Sequence, residues 1–296
     1  MQWYRLIMGG LRRFRIPYLL SDECKVKLWY WLSFGKTINL KNPQTYSEKL
    51  QWLKLYDHNP KYTMMVDKYA VKQWVSDTIG EQYVIPTIGV WDRFEEVCLD
   101  SLPEKFVLKT TQGCGNNGVA VVKSKSVVNM AEIASKFRKA GRRNAYKMLG
   151  EWPYKDVAPR ILAEKYMEDQ YGELRDYKFF CFDGKVKAMF IASGRSKGQV
   201  CFDFYDEKFN YLNIEHGHPT TNGSPTKPLS WEEMICIAEK LSVGIPHVRV
   251  DLYEVDGHPY FGEMTFYHHG GLVPFKPAKW DKIFGDWIKL PKDLNI

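Results

Sequence analysis

No CxxC pair, no long uninterrupted apolar run, no internal repeat and no low-complexity tract occurs in this chain of 296 residues. Each absence narrows what the protein can be. Six cysteines (Cys24, Cys98, Cys114, Cys181, Cys201, Cys236) lie scattered, so a disulfide framework and a zinc site are both disfavoured. With ten methionines beside them, they read as a reduced, cytoplasmic protein. The opening stretch, MQWYRLIMGGLRRFRIPYLL, is broken by Arg5, Arg12, Arg13 and Arg15, which excludes the apolar core of a signal peptide or a membrane span. It is expected to stay in the mature chain, either packed on the body or lying as an interfacial helix on an anionic membrane. No Ser-His-Asp or Cys-His arrangement is evident. The formal charge of +7 suits anionic ligands such as phosphates or uronic acids without demanding nucleic acid.

What is present is a change of texture along the chain. Up to about residue 92 apolar residues recur at three and four spacing, which predicts helices from Tyr46 and over 64–75, with Ser47 or Thr63 as caps. Later segments read as β-hairpins at 105–122, 177–192 and 247–267, with Asp183-Gly184 and Asp256-Gly257 as turns. Helices fall between them at about 127–143 and 231–242. Residues 216–229, rich in Pro, Thr, Gly and Asn, are expected to form a mobile loop. Helices alternating with antiparallel hairpins predict an α+β fold.

The segment HVRVDLYEVDGHPYFGEMTFYHHGG (247–271) carries the most chemistry. Val248, Val250 and Leu252 share one strand face; Tyr260, Gly262, Met264 and Phe266 share one face of the other. Both reach one core only if even positions pair with even ones, which a two-residue turn forbids and a three-residue loop with a G1 bulge at Gly257 allows. Arg249, Asp251, Glu263 and Thr265 then project together. They suit a hard-oxygen Mg²⁺ site with a guanidinium for phosphate or carboxylate, or equally an Arg249–Glu263 ion pair on a solvated face. His268 and His269 come next, in positions expected to be exposed.

FVLKTTQGCGNNGVAVV (106–122) places Lys109 at a strand end before a loop with Gly113, Gly115 and Gly118. Such a loop frees backbone N–H groups for phosphate oxygens, although no helix comes after it to make it a P-loop. VDKYAVK sets Lys68 and Lys72 four apart, a spacing that alone reads as a solvated helix stripe. The strand 161–163 runs into Glu164, Lys165, Tyr166 and Met167, a connector able to hold adenine by its backbone and one acidic group.

Taken in order, DKxxxK, Lys109 with its glycine loop, the acidic hinge, Asp176, the Arg249-x-Asp251 pair and the Glu263-x-Thr265 pair resemble the ATP-grasp superfamily. NLKNPQTYSEKLQWLKLYD, GEWPYK, RDYKFFCFDGK, RVDLYEV and FGEMTFY look more closely like its TupA-like family, over most of the chain from about residue 39. The resemblance implies two antiparallel-sheet subdomains clamping a nucleotide after a helical N-terminal region, with boundaries at 1–95, 96–166 and 167–296. It implies ATP and Mg²⁺ as cofactors. Lys72, Lys109 and the loop glycines would contact phosphates, Glu164, Lys165 and Met167 the adenine edge, and Asp176 and Lys178 the nucleotide beyond it. Asp251, Glu263 and Thr265 would hold the metal, and Arg249 with Lys109 would act on the transferred phosphoryl. Thr265 stands where many relatives have Asn, and Cys114 where a Ser is common. The implied reaction joins a carboxylate, such as a uronic acid of a capsular or cell-wall polysaccharide, to an amino acid through an acyl phosphate. Two rivals stand beside it: a sugar transferase with a metal on Asp203 to Asp206 or on Asp251, and a non-enzymatic protein binding acidic polysaccharide or membrane.

Overall fold

The computed structural model describes residues 10–11, 16–112, 118–169, 172, 174–194 and 198–291. The glycine-loop residues Gly113, Cys114 and Gly115, and most of the basic N-terminal stretch, lie outside the described residues.

From Asp22 on, the described residues first form four α-helices: α1 (Asp22–Phe34), α2 (Tyr46–Tyr56), α3 (Lys61–Val66) and α4 (Ala70–Ile79). Thr45, rather than Ser47, caps α2. Its hydroxyl accepts from Glu48 N at 3.2 Å while the Glu48 carboxylate accepts from Thr45 N at 3.1 Å, a reciprocal box that needs a Glu three residues on. Ser47 is used elsewhere, donating its N and Oγ to Asp281 at 2.8 and 2.9 Å. The helix expected over 64–75 is two helices, and Thr63 lies inside the first. Asp67 breaks them: its Oδ1 accepts from Tyr69 N and Ala70 N at 2.9 and 3.1 Å, starting α4, and its Oδ2 takes Arg160 Nη2 at 2.8 Å.

Next comes a small antiparallel sheet, built from β1 (Thr87–Trp91), β2 (Phe106–Thr110), β3 (Val119–Val122) and β4 (Ile161–Lys165) in the order β1-β4-β2-β3. Its edge strand β1 falls where the sequence read as helical and ahead of residue 96. Helix α5 (Met130–Gly141) buries Ile133 and Phe137 in one cluster with Phe106 and Leu108, and α6 (Ala145–Leu149) leads on to β4.

The large sheet contains β5 (Asp176–Phe182), β6 (Lys185–Ser193), β7 (Cys201–Tyr205), β8 (Tyr211–Leu212), β9 (Val248–Val255) and β10 (His258–Thr265), ordered β10-β9-β5-β6-β7-β8. Both its faces are covered, so β5 is buried throughout and is continuously apolar from Phe179 to Phe182. Phe179 meets Trp231 of α7 (Trp231–Leu241) on one side. Phe180 meets Tyr46 of α2 and Phe284 of α8 (Lys279–Trp287) on the other. The 216–229 loop is tied down by Asp203, which accepts from the Thr220 and Thr221 hydroxyls at 2.6 and 2.7 Å and from Thr221 N and Gly223 N at 2.9 and 3.0 Å.

The β9–β10 hairpin reaches the expected face by a different device. Asp256 and Gly257 are both left-handed, φ 53° and 76°, and Val255 pairs with His258, the two-residue type I′ turn that Asp-Gly favours. The predicted three-residue loop is not formed. The register shifts instead between Phe261 and Glu263, where Gly262 is the extra residue of a bulge and reverses the facing of the strand beyond it. Phe261 thus pairs with Leu252 and takes the core position expected of Tyr260, while past the bulge Glu263 faces Asp251 and Thr265 faces Arg249. A side chain at 262 has no room, since a Cβ would lie 2.9 Å from the Tyr253 ring and 3.0 Å from the Asp251 carbonyl oxygen.

Candidate active site

Two charged clusters face each other from the two sheets. On the small sheet Val107 pairs with Glu164, and Lys109, two residues along β2, is the diagonal neighbour on the same face. Glu164 is buried, with Lys109 Nζ 2.5 Å from Oε2 and Lys72 Nζ 2.5 Å from Oε1. Lys72 also donates to the Ile85 carbonyl at 2.6 Å. Burial by itself would raise the Glu164 carboxyl, but the charges and hydrogen bonds of Lys109 and Lys72 outweigh it and hold it below the usual range. Burial lowers the Lys72 ammonium, with Glu164 opposing.

On the large sheet, the Arg249 guanidinium grips Asp251 bidentately, Nε to Oδ1 at 2.6 Å and Nη2 to Oδ2 at 2.7 Å. Its Nη2 also donates to Thr265 Oγ1 at 3.0 Å and its Nη1 to His268 Nδ1. Lys178 donates to Asp251 Oδ2 from the other side and lies 3.6 Å from Asp176 Oδ1. Glu263 keeps 31 % side-chain exposure, with Lys68 Nζ at 3.5 Å and Arg249 Nη2 at 3.8 Å. Burial acts to raise its carboxyl; Lys68, Lys178, Arg249 and Lys109 together override that and bring it down to about 2.

Lys68 and Lys72 do not form a solvated stripe. The Asp67 break puts Lys68 in the turn between α3 and α4, so it reaches Glu263 on the large sheet while Lys72 reaches Glu164 on the small one. Segment 67–72 therefore bridges the sheets, and Arg160 ties its first residue to the start of β4. Nothing in the spacing of the two lysines foretold opposite targets; the helix-starting aspartate was the available signal.

A cavity of about 810 Å³ opens beside the small cluster. Lys109, Glu164, Lys165 and Met167 line it, with Val107 on its wall and Tyr253 of β9 facing across. Gly118 is buried just ahead of β3. Asp176 is buried against Lys178 and is not among the lining residues. His268 and His269, expected at the surface, are drawn inward: His268 is buried against Phe180 and Phe190, and His269 stacks near Phe202.

For Mg²⁺ the donor chemistry is mixed. Both oxygens of Asp251 are engaged by cations and Thr265 Oγ1 is engaged by Arg249, whereas Glu263 is ionised, partly exposed and held only by longer contacts. Among the described residues no three His, Cys, Asp or Glu side chains are grouped to hold a metal by themselves. One open carboxylate fits a cation that takes one or two carboxylates and completes its octahedron with phosphate oxygens and water.

Two facing antiparallel sheets, a lysine pair gathered on a carboxylate of one and an arginine–carboxylate cluster on the other make this an ATP-grasp fold. The family model described as "TupA-like ATPgrasp" matches residues 48–289, and the protein belongs to that family. Among solved structures, the chain is similar to D-alanine–D-alanine ligase from Helicobacter pylori (16 % identity, 84 % of this chain and 68 % of that one, TM-score 0.47). It is also similar to the D-alanine–D-alanine ligase from Bacillus anthracis complexed with ATP (16 %, 69 % and 54 %, TM-score 0.39) and to a RimK domain ATP-grasp protein from Sphaerobacter thermophilus (12 %, 77 % and 69 %, TM-score 0.40). The chain spans little more than half the length of the Bacillus anthracis ligase. No curated protein matches the sequence.

Proposed function

We propose that the protein is an ATP-dependent carboxylate–amine ligase. The observation that carries this reading is the facing of Lys72 and Lys109, paired on Glu164, with Arg249, Asp251 and Glu263 on the opposite sheet, bridged by Lys68. Such a set can hold a triphosphate and neutralise charge on a phosphoryl group in transit, which is most of what this chemistry asks of a protein. Lys72, Lys109 and the backbone of the loop bearing Gly113, Gly115 and Gly118 hold phosphates. Lys165, Met167 and the Glu164 backbone form the adenine edge, and the Glu164 side chain serves to set the two lysines. Asp176 and Lys178 support the nucleotide side of the large sheet.

Mg²⁺, when bound with ATP, supplies charge neutralisation at the phosphate oxygens. Glu263 is the protein oxygen open to it, with Asp251 and Thr265 behind. A substrate carboxylate displaces ADP from the γ-phosphate and becomes an acyl phosphate; an amine then displaces phosphate at the acyl carbon and loses a proton, leaving an amide. Arg249 and Lys109 hold the transferred group in line between donor and acceptor.

The carboxylate is proposed to be a uronic acid of a capsular or cell-wall polysaccharide or its precursor, and the amine an amino acid, with the reaction in the cytoplasm at the inner face of the membrane. No described helix is long and apolar enough to cross a membrane. The sugar-transferase alternative gains no support from Asp203, whose oxygens are committed to the 220–223 loop. Calorimetric titration with MgATP tests the reading: saturable binding is expected, and its loss in Lys109→Met. A wild-type protein that takes up no MgATP would remove the proposal.

A further inference from the structure

Two sequence motifs remain without a part at the nucleotide site, YSEKLQWLK in α2 and GEWPYK after α6. They meet beneath the turn after β10. There His269, Gly270 and Gly271 are all left-handed, φ 51°, 65° and 64°, a run that must be held from outside because only glycine adopts it freely.

Helix α2 does the holding. Gln51 Nε2 donates to the carbonyls of Gly270 and Gly271 at 2.9 and 3.1 Å. Lys54 Nζ donates to the Gly270 carbonyl at 2.7 Å and to Gln51 Oε1 at 3.0 Å. Both side chains are buried, Lys54 with 1 % exposure. Helix and turn are in direct contact, for a Cβ on Gly271 would lie 2.7 Å from Gln51 Nε2 and 2.9 Å from Leu50 Cβ. Buried Glu151 lies on the other side, where a Cβ on Gly270 would come within 3.4 Å of its Oε1. Burial lowers the Lys54 ammonium and raises the Glu151 carboxyl, and the charge of each opposes the shift of the other. At the start of this turn His268 receives Arg249 Nη1, on the side of the guanidinium away from Asp251.

We propose that Gln51, Lys54 and Glu151 are positioning residues for Arg249, acting through the left-handed turn that seats His268. The part given to Arg249 rests on the ligase reading; the mechanical link does not. It assigns the helical N-terminal region a part in setting the geometry of the phosphoryl-binding arginine. None of the three lines the cavity.

Histidine-selective ¹⁵N labelling reads the link with no substrate present. In the intact protein His268 is expected to show one fixed tautomer, with Nδ1 as acceptor. Gln51→Met removes the donor to both carbonyls at similar volume, and is expected to replace that signal by exchanging tautomers in a folded protein. Leu241→Ala, a cavity in α7, is expected to lower the thermal midpoint and leave the His268 signal alone. Should Gln51→Met not fold, the double variant Lys54→Met/Glu151→Gln leaves no unpaired buried charge and carries the same readout. A folded clamp variant with an unchanged His268 signal overturns the proposal. A second arm uses MgADP with fluoroaluminate, a stand-in for phosphoryl in transit. The clamp variant is expected to bind MgADP as the wild type does but to lose about tenfold of the added fluoroaluminate affinity; equal affinity also overturns it. Wild-type protein that binds no MgADP would speak against the nucleotide site instead, and the His268 signal would then decide the positioning.

Discussion

Lys109 and Glu164 lie on neighbouring strands of the small sheet and meet at 2.5 Å, with Lys72 at the same distance on the other carboxylate oxygen. A buried carboxylate thus holds two ammonium groups side by side, where like charges would otherwise repel. Breaking a buried pair from one side costs more than the pair is worth, because the remaining charges stay desolvated. Glu164→Gln is therefore expected to lower unfolding stability by about 3 kcal/mol, measured by urea titration at neutral pH. Unchanged stability would show that the lysines need no counter-charge.

Acid sensitivity should come from histidines before carboxylates. Burial, helped by Arg249, pushes His216 and His247 down to about 3, and His247 is fixed as a neutral ring between the Tyr46 hydroxyl and the Cys181 carbonyl. In the unfolded chain both titrate near 6.5. Below that value the unfolded state binds the protons, so stability falls as pH drops from about 6.5 toward about 3. The loss is about 2 kcal/mol per histidine between about pH 6.5 and about pH 5. Glu263, depressed to about 2, also loses stabilisation with acid, but between its ordinary value near 4.5 and about 2. Urea midpoints at about pH 7, 6 and 5 check this; a flat profile over that range contradicts it.

Gly262→Ala tests the bulge. A Cβ there meets the Asp251 carbonyl oxygen at 3.0 Å, a backbone atom that cannot swing away, so the hairpin must shift. Overpacking of this kind costs about 2 kcal/mol, and MgATP affinity is expected to fall with it because Glu263 is the next residue. Stability and affinity equal to wild type would mean that the register does not depend on this glycine.

Much of this architecture was legible in the residues. The hairpins, the α2 helix and the shared face of Arg249, Asp251, Glu263 and Thr265 stem from alternation and turn signals, which are local. The device that set the register was not legible: alternation required one extra residue in the hairpin but could not say whether it sat in the turn or at Gly262, since that depends on which backbone approaches closely. Ser47 looked like a cap until Asp281, far along the chain, claimed it. His268 and His269 looked exposed because polar residues after a strand usually are; only the large sheet's second covering layer buries His268 and half-buries His269. Lys68 and Lys72 were expected to share one face, and a single aspartate between two apolar helical runs sent them to different sheets.

On the proposed function, ATP is consumed to join a carboxylate to an amine at this site. Its most direct test is ADP release, followed with candidate uronic acids and amino acids supplied together and separately, for the wild type and Glu263→Gln. ADP formation is expected, with amide product only when both co-substrates are present, and both are expected to be lost in the variant. Turnover unchanged in Glu263→Gln, or sugar transfer from a nucleotide sugar with no ADP formed from ATP, would contradict it.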